Sequence, residues 1–504
     1  MHELFDRRHH SILQEARRRI SGKDPLEAAA CLAGHCIDRI EAFNQRGPCL
    51  GAVLEVNAEA RSRKRLSRVL PADRERPLWG LPLVIKDNIV TAEDPLNTTC
   101  GSHFLMGARY GRDSTLVSRL KRAGALILAK ANMPEFGLTA PSARGGPVRN
   151  PLDGCRTQPG GSSNGVAVAV AAGMGLAGFG TDARGSLRAP SAECALAGLR
   201  PTVGMISRQG VCAFQPHDVV GPIAPSVQDL ALLLEAVAAE DDPLDPLTGL
   251  YRAARPAGWA GRLRPRGSLA GLRLAKPAGI EETLREEVRR SYRQAIQLME
   301  KAGARFLDID AGLWQAEDLA GASSHEAALA LGGDSLRRFA ETWSEDSPIR
   351  NLDDLQERFR APLPTGMTMT ATEPDNLLIP LLEAAPLKDA LGVWEEVLEG
   401  LRAPFAQALQ EADAEALVVP TGSWAVSLKG PLSPPLMRHD NAFGVACAWA
   451  GLPELVLPMH PGRSHPLGLS LVGLPFSEAR LLQLGCEFER LTAPPPRWQA
   501  PSWK

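Results

Sequence analysis

The stretch PGGSSNGVAVAVAAGMGLAGFGTDARGSLRAP, Pro159 to Pro190, decides the reading of this chain. A helical run, SNGVAVAVAAGM, and a strand run, LAGFGTD, are bracketed by two clusters of glycine and serine. In the second cluster the apolar run ends at Phe179, a turn follows, and Ser186 stands where a new helix can begin. The N–H groups of such a turn, from Ala183 to Ser186, lack intrahelical partners and can converge on an anion or a developing oxyanion. The first cluster could cradle a phosphate, but no G-x-x-x-x-G-K-[ST] is present. No G-x-G-x-x-G opens a strand-to-helix turn with a ribose-binding acid behind it, so a nucleotide site is disfavoured.

Outward from this stretch the pattern alternates. LPLVI, Leu81 to Ile85, is too short for a helix and fits a buried strand. STLVSRLKRAG reads as helix, ALILAK as strand, and SVQDLALLLEAVAA as a helix opened by a capping box of Ser226 and Asp229. Residues 1–70 read as helical, and so does most of 240–400, in REEVRRSYRQAIQLMEKAGA, SSHEAALALGG and LGVWEEVLEGLRAPFAQALQEA. Strands return in EALVVPTG, ELVLPM and PLGLSLVG, before a helix from about Ser477. Alternation of this kind predicts an α/β sheet covered by helices. One large domain over 1–504 is the economical organisation: a helical segment (1–70), a core (76–240), a largely helical insertion shaping the substrate pocket (240–400), and C-terminal strands with a closing helix (401–504).

The chain has 504 residues, 44% of them hydrophobic, and so can bury a large core. Its 56 basic and 58 acidic residues nearly cancel, and no basic stripe is interleaved with aromatics, which argues against nucleic acid as a partner. Nine scattered cysteines without a CxxC pair suggest neither a disulfide framework nor a thiolate zinc site, and no His/Cys/Asp/Glu set has metal spacing. The N-terminus lacks the apolar stretch of a secretory signal, and no run of 18 apolar residues offers a membrane span. A reducing cytoplasm is the expected location, with no membrane partner.

A nucleophilic serine needs a base. His103, His217, His439, His460 and His465 are available, yet there is no G-x-S-x-G elbow, and GLSLVG falls short of one. The other solution is a serine–lysine arrangement with a lysine made neutral by burial. Lys86 ends the strand LPLVI, where it either points into a polar pocket or lies at the surface.

GLPLVIKDNIV, the stretch from PGGSSNG through RPTVGMISRQGV, and PELVLPM with PLGLSLVG together resemble the amidase signature family of serine hydrolases. The resemblance runs from about 76 to 235 and 415 to 490. It implies a large mixed twisted sheet of about ten strands flanked by helices, and a Ser–cisSer–Lys triad. Within it the lysine falls on Lys86, the bridging serine on Ser162 after a cis peptide from Gly161, and the nucleophile on Ser186. It further implies an oxyanion hole of the N–H groups of Ala183, Arg184, Gly185 and Ser186, with Ser163 and Asp182 supporting the site.

Two departures stand out: GGSSNG replaces the common GGSSGG, and TDARGS replaces T-D-T-G-G-S, which places Arg184 where glycine is usual. Arg184, His217, His439 and Asp440 are candidate substrate contacts; alternatively Arg184 points to solvent. Asp87 and Asn88 are expected to fix the turn after the strand, Glu193 to lie on a helix face, and Trp314, Trp343, Trp394, Trp424 and Trp449 to belong to the core. The implied reaction is hydrolysis of a small-molecule carboxamide to carboxylate and ammonia or amine without a cofactor, with a homodimer as a candidate assembly. Two other readings stay open: the glutaminase subunit of a glutamine-dependent tRNA amidotransferase, and a degenerate amidase fold retained for binding.

Overall fold

Among the described residues thirteen short runs form strands: β1 (Val53–Val56), β2 (Pro82–Lys86), β3 (Leu126–Ala131), β4 (Thr157–Gln158), β5 (Ala177–Asp182), β6 (Ala197–Arg200), β7 (Val219–Ala224), β8 (Arg273–Pro277), β9 (Arg305–Ile309), β10 (Leu417–Pro420), β11 (Val426–Ser427), β12 (Glu454–Pro458) and β13 (Gly468–Val472). The computed structural model describes residues 11–138, 142–238, 241–249, 268–310, 322–360, 387–422, 442–459 and 466–492, together with 261, 263, 380, 381, 383–385, 426–427 and 498. Eleven of the strands make one mixed sheet in the order β1-β3-β2-β5-β7-β6-β12-β13-β10-β8-β9, while β4 and β11 pair separately. The large mixed sheet expected from the sequence is present, with eleven strands.

The order explains the composition of the strands. β2 lies parallel to both β3 and β5, and β5 runs antiparallel to β7. With helices on its faces, such a sheet buries its central strands on both sides, and every residue of β2, β3, β5, β7 and β13 is buried. The edge strand β9 exposes Arg305 and Asp308 instead. A second apolar cluster, with Phe104, Phe136, Phe214, Phe339 and Phe359, packs beneath the helices Ala322–Ala340 and Leu352–Arg360.

Two expectations of helix are corrected. Within 1–70, Val53–Val56 is a strand paired antiparallel with β3, and the Asn44 side chain holds its first residue: the Asn44 amide donates to the Val53 carbonyl at 2.8 Å and its oxygen accepts the Val53 N–H at 2.9 Å. Within 240–400, β8 and β9 add two strands to the sheet edge. The helix Glu286–Lys301 stops as Gly303 takes a left-handed φ of 105°, which turns the chain into β9. Trp343 and Trp394 are buried as expected and Trp449 is half-buried, whereas Trp314 and Trp424 lie outside the described residues. Among the described residues no helix is long and apolar enough to cross a membrane.

The capping box at Ser226 does more than open its own helix, Val227–Val237. Asp229 accepts the Ser226 hydroxyl at 2.8 Å, the N–H groups of Ile12 and Leu13 at 3.2 and 3.0 Å, and the Ser11 hydroxyl. One buried carboxylate thus also anchors the start of the helix Ile12–Ile20 to the core. Replacing Asp229 by Ala strands these donors and is expected to lower stability by roughly 2–4 kcal/mol. A urea midpoint equal to wild type would show that the N-terminal helix is not held this way.

Candidate active site

Lys86 is the last residue of β2, and the burial of that strand carries its amine into the protein with no exposed surface. Its Nζ lies 2.7 Å from Ser162 Oγ and 2.8 Å from Thr181 Oγ1 and donates to both. Burial pushes Lys86 down to about 7, against the pull of Asp218 and Asp182. Two hydroxyls, and no carboxylate among the described residues, contact the amine, which is an environment for its neutral form.

Ser162 follows a cis peptide bond from Gly161 and is buried. Its loop is held at both ends. The Glu193 carboxylate accepts the Gly160 N–H at 2.8 Å, and the Ser163 N–H donates to the Ser186 carbonyl at 2.8 Å, which joins the two glycine–serine clusters. Ser163 Oγ exchanges hydrogen bonds with the Thr181 backbone at 3.1 and 3.2 Å. Glu193 does more than occupy the helix face expected for it: its carboxylate is the anchor of the Ser162 loop.

The turn after β5 is built around Asp182. Its carboxylate accepts the Gly185 N–H at 2.8 Å, the Leu187 N–H at 3.0 Å and the Arg188 N–H at 3.3 Å, and it pairs with the Arg188 guanidinium at 3.0 Å. Burial alone would raise Asp182, but Arg188 and Arg200 hold it far below the usual carboxylate range. Arg188 is fixed in turn by Glu454 at 2.5 Å and the Gly444 carbonyl at 2.8 Å. Gly185 has φ 116°, a conformation that favours glycine. Arg184 is not among the residues of positive φ, so replacing the usual glycine leaves this backbone unstrained.

Of the four N–H groups expected at the oxyanion hole, that of Gly185 is engaged. Its N–H already serves Asp182, whereas no loop, turn or side-chain hydrogen bond of the described residues takes the N–H groups of Ala183, Arg184 and Ser186. Ser186 itself is half-buried and Arg184 is exposed.

Other candidates separate cleanly. The Asp87 carboxylate accepts Thr99 Oγ1 at 2.6 Å and the Gly101 N–H at 2.9 Å, which fixes the expected turn. Asn88 donates to Thr181 Oγ1 at 3.2 Å and to the Cys212 carbonyl at 3.0 Å. His217 is buried, with its ring centroid 4.4 Å from that of Trp449. Asp218 accepts the N–H groups of Phe214 and Gln215, each at 3.0 Å. His439 and Asp440 lie outside the described residues. Sequence reasoning missed Thr181, the second partner of Lys86; its only signal was its place directly before Asp182.

A buried lysine amine bonded to the Ser162 and Thr181 hydroxyls, beside a turn of uncommitted N–H groups, is an arrangement suited to hydrolases that act on amide carbon–nitrogen bonds. Known proteins agree. The family model for amidases matches residues 32–482, and the chain belongs to the amidase family. It is 33% identical over 472 residues to the A-type subunit of glutamyl-tRNA(Gln) amidotransferase from Halorhodospira halophila, covering 92% of this chain and 93% of that one. It is equally identical, at 33% over 497 residues, to the corresponding protein of Nitratidesulfovibrio vulgaris, which bears the same name, with 95% of each covered. Its fold matches the crystal structure of peptide amidase from Stenotrophomonas maltophilia with a TM-score of 0.79 at 30% identity, over 97% of this chain and 98% of that one.

Replacing Asp182 by Asn removes one of the two carboxylates paired with Arg188 and is expected to cost about 3 kcal/mol or more in chemical denaturation. Because the folded carboxyl is held below its unfolded value, its contribution is present above about pH 4 and is lost as pH falls further. The variant should therefore lose less stability than wild type on acidification from about pH 5; parallel stability–pH curves for the two proteins would contradict this role.

Proposed function

We propose that the protein hydrolyses a carboxamide through an acyl-Ser186 intermediate, with Ser162 and Lys86 as the proton relay. The observation that carries this reading is the 2.7 Å hydrogen bond between a fully buried Lys86 amine and Ser162 Oγ. A neutral Lys86 can take the Ser162 proton along that line while an N–H donates to Thr181. Ser162 then accepts the Ser186 proton as Ser186 Oγ attacks the amide carbon. The tetrahedral oxyanion forms beside the N–H groups of Ala183, Arg184 and Ser186, and removal of one such donor is worth about 3 kcal/mol in comparable enzymes. The proton returns through Ser162 to the departing nitrogen, the carbon–nitrogen bond breaks, and water attacks the acyl-serine by the same route to release the carboxylate. In this reading the whole chain is one amidase domain, because the eleven-stranded sheet draws strands from both ends of it.

A second reading, the ammonia-releasing subunit of a tRNA amidotransferase, is favoured by the name and near-complete coverage of the relatives at 33% identity. It differs in its partners: glutaminase activity would then appear only on addition of the other subunits, whereas a free amidase acts alone. Retention of a connected Lys86–Ser162 pair argues against a binding-only relic.

Two measurements test the chemistry. Under conditions where acylation limits, kcat/KM should rise with pH through an apparent value of about 7 and then level off, because only the neutral amine accepts a proton; a rate flat from pH 6 to 10 would contradict it. Replacing Ser186 by Ala should lower kcat on the order of 10⁶-fold and abolish labelling by a fluorophosphonate. Undiminished labelling would place the nucleophile elsewhere.

A further inference from the structure

We infer that Asn88 is a positioning residue that aims the proton relay: by fixing the Thr181 hydroxyl as an acceptor, it leaves the lone pair of the Lys86 amine to Ser162 alone; this rests on the amide-hydrolase reading above. A neutral amine has two N–H donors and one lone pair, and only the hydroxyl that meets the lone pair can pass its proton to the nitrogen. Two hydroxyls stand at almost equal range, Ser162 Oγ at 2.7 Å and Thr181 Oγ1 at 2.8 Å. Distance does not decide between them. A Thr181 hydroxyl that donated to the lone pair would occupy the base with a group outside the relay.

Asn88 removes that choice. Its Nδ2 lies 3.2 Å from Thr181 Oγ1 and 3.0 Å from the Cys212 carbonyl and donates to both. The Cys212 carbonyl can only accept, which fixes the side-chain amide with its nitrogen, and not its oxygen, toward these two partners. The backbone locks the arrangement: the Cys212 N–H donates to the Asn88 carbonyl at 2.8 Å, and Ile89 bridges to Val211 beside it. With one N–H arriving from Asn88 and one from Lys86, both lone pairs of Thr181 Oγ1 are taken, and its hydrogen points away from the amine.

The surroundings support this wiring. Thr181 is held in place, because Ser163 Oγ accepts its N–H at 3.2 Å and donates to its carbonyl at 3.1 Å, while β7 pairs with it at Val220. Asn88 Oδ1, in contrast, is buried with no hydrogen-bond partner among the described residues. Leaving a buried oxygen unpaired is costly, yet the side chain keeps the orientation that gives Thr181 a donor.

The test measures the second-order rate at which a fluorophosphonate labels Ser186 in the full chain, with Asn88→Ala made in wild type, in Thr181→Val and in Thr181→Ser. In wild type the substitution is expected to slow labelling about tenfold, since Thr181 is then free to donate to the amine. In the Thr181→Val background no hydroxyl competes, and the same substitution should change the rate by less than about twofold. The Thr181→Ser background keeps a hydroxyl, so sensitivity to Asn88→Ala should return. Should Asn88→Ala not fold, Asn88→Leu, which roughly keeps the volume of the amide, carries the same comparison. Equal slowing in all three backgrounds, or no slowing in wild type, overturns the inference and leaves amide hydrolysis standing. A folded wild type that is not labelled at Ser186 overturns the hydrolase reading and the inference with it.

Discussion

A lysine amine without solvent and without a contacting carboxylate is the constraint around which this protein is arranged. An ammonium in that position would face a desolvation cost that two hydroxyls do not offset, so the balance moves toward the free base. Burial of β2 on both faces makes this possible, because the end of a central strand is the place where a four-carbon side chain can reach a polar pocket without meeting water. The depth of the sheet is therefore part of the chemistry. Its width matters too, since β3 and β5 on either side of β2 exclude solvent from the strand that carries the base.

Around that amine the protein keeps charge and catalysis apart. The buried Asp182–Arg188–Glu454 ion-pair chain shapes the nucleophile turn without touching Lys86. Asp182 and Asp218 act on the lysine only through space: Asp182 accepts the N–H groups of Gly185 and Leu187 and pairs with Arg188, and Asp218 Oδ2 accepts those of Phe214 and Gln215. A carboxylate in direct contact would restore the ammonium and remove the base.

Much of this was legible in the sequence. The apolar run before Lys86 and the glycine–serine clusters around Ser162 and Ser186 announced buried strands and turns with exposed N–H groups, because period and turn chemistry are local properties. The supports were less visible. Thr181, Glu193 and Asn88 reach the site through side-chain geometry set by strand pairing, which no spacing encodes. Gly185 illustrates the limit in the other direction: the turn was recognised, but that its N–H belongs to Asp182 depends on where one carboxylate points. β1, β8 and β9 escaped notice because four- and five-residue strands joined to helices have too little period of their own, and their pairing partners lie far along the chain.

The state of the Lys86 amine is the point on which the account turns, and it can be observed without turnover. Lysine carrying ¹⁵N at Nζ, incorporated into the Ser186→Ala protein and assigned by comparison with Lys86→Met, reports the protonation of this one amine by NMR. The account predicts a titration midpoint of about 7. A midpoint close to that of free lysine, about 10.4, would mean that the amine stays charged throughout the working range, and the proton relay would have no base.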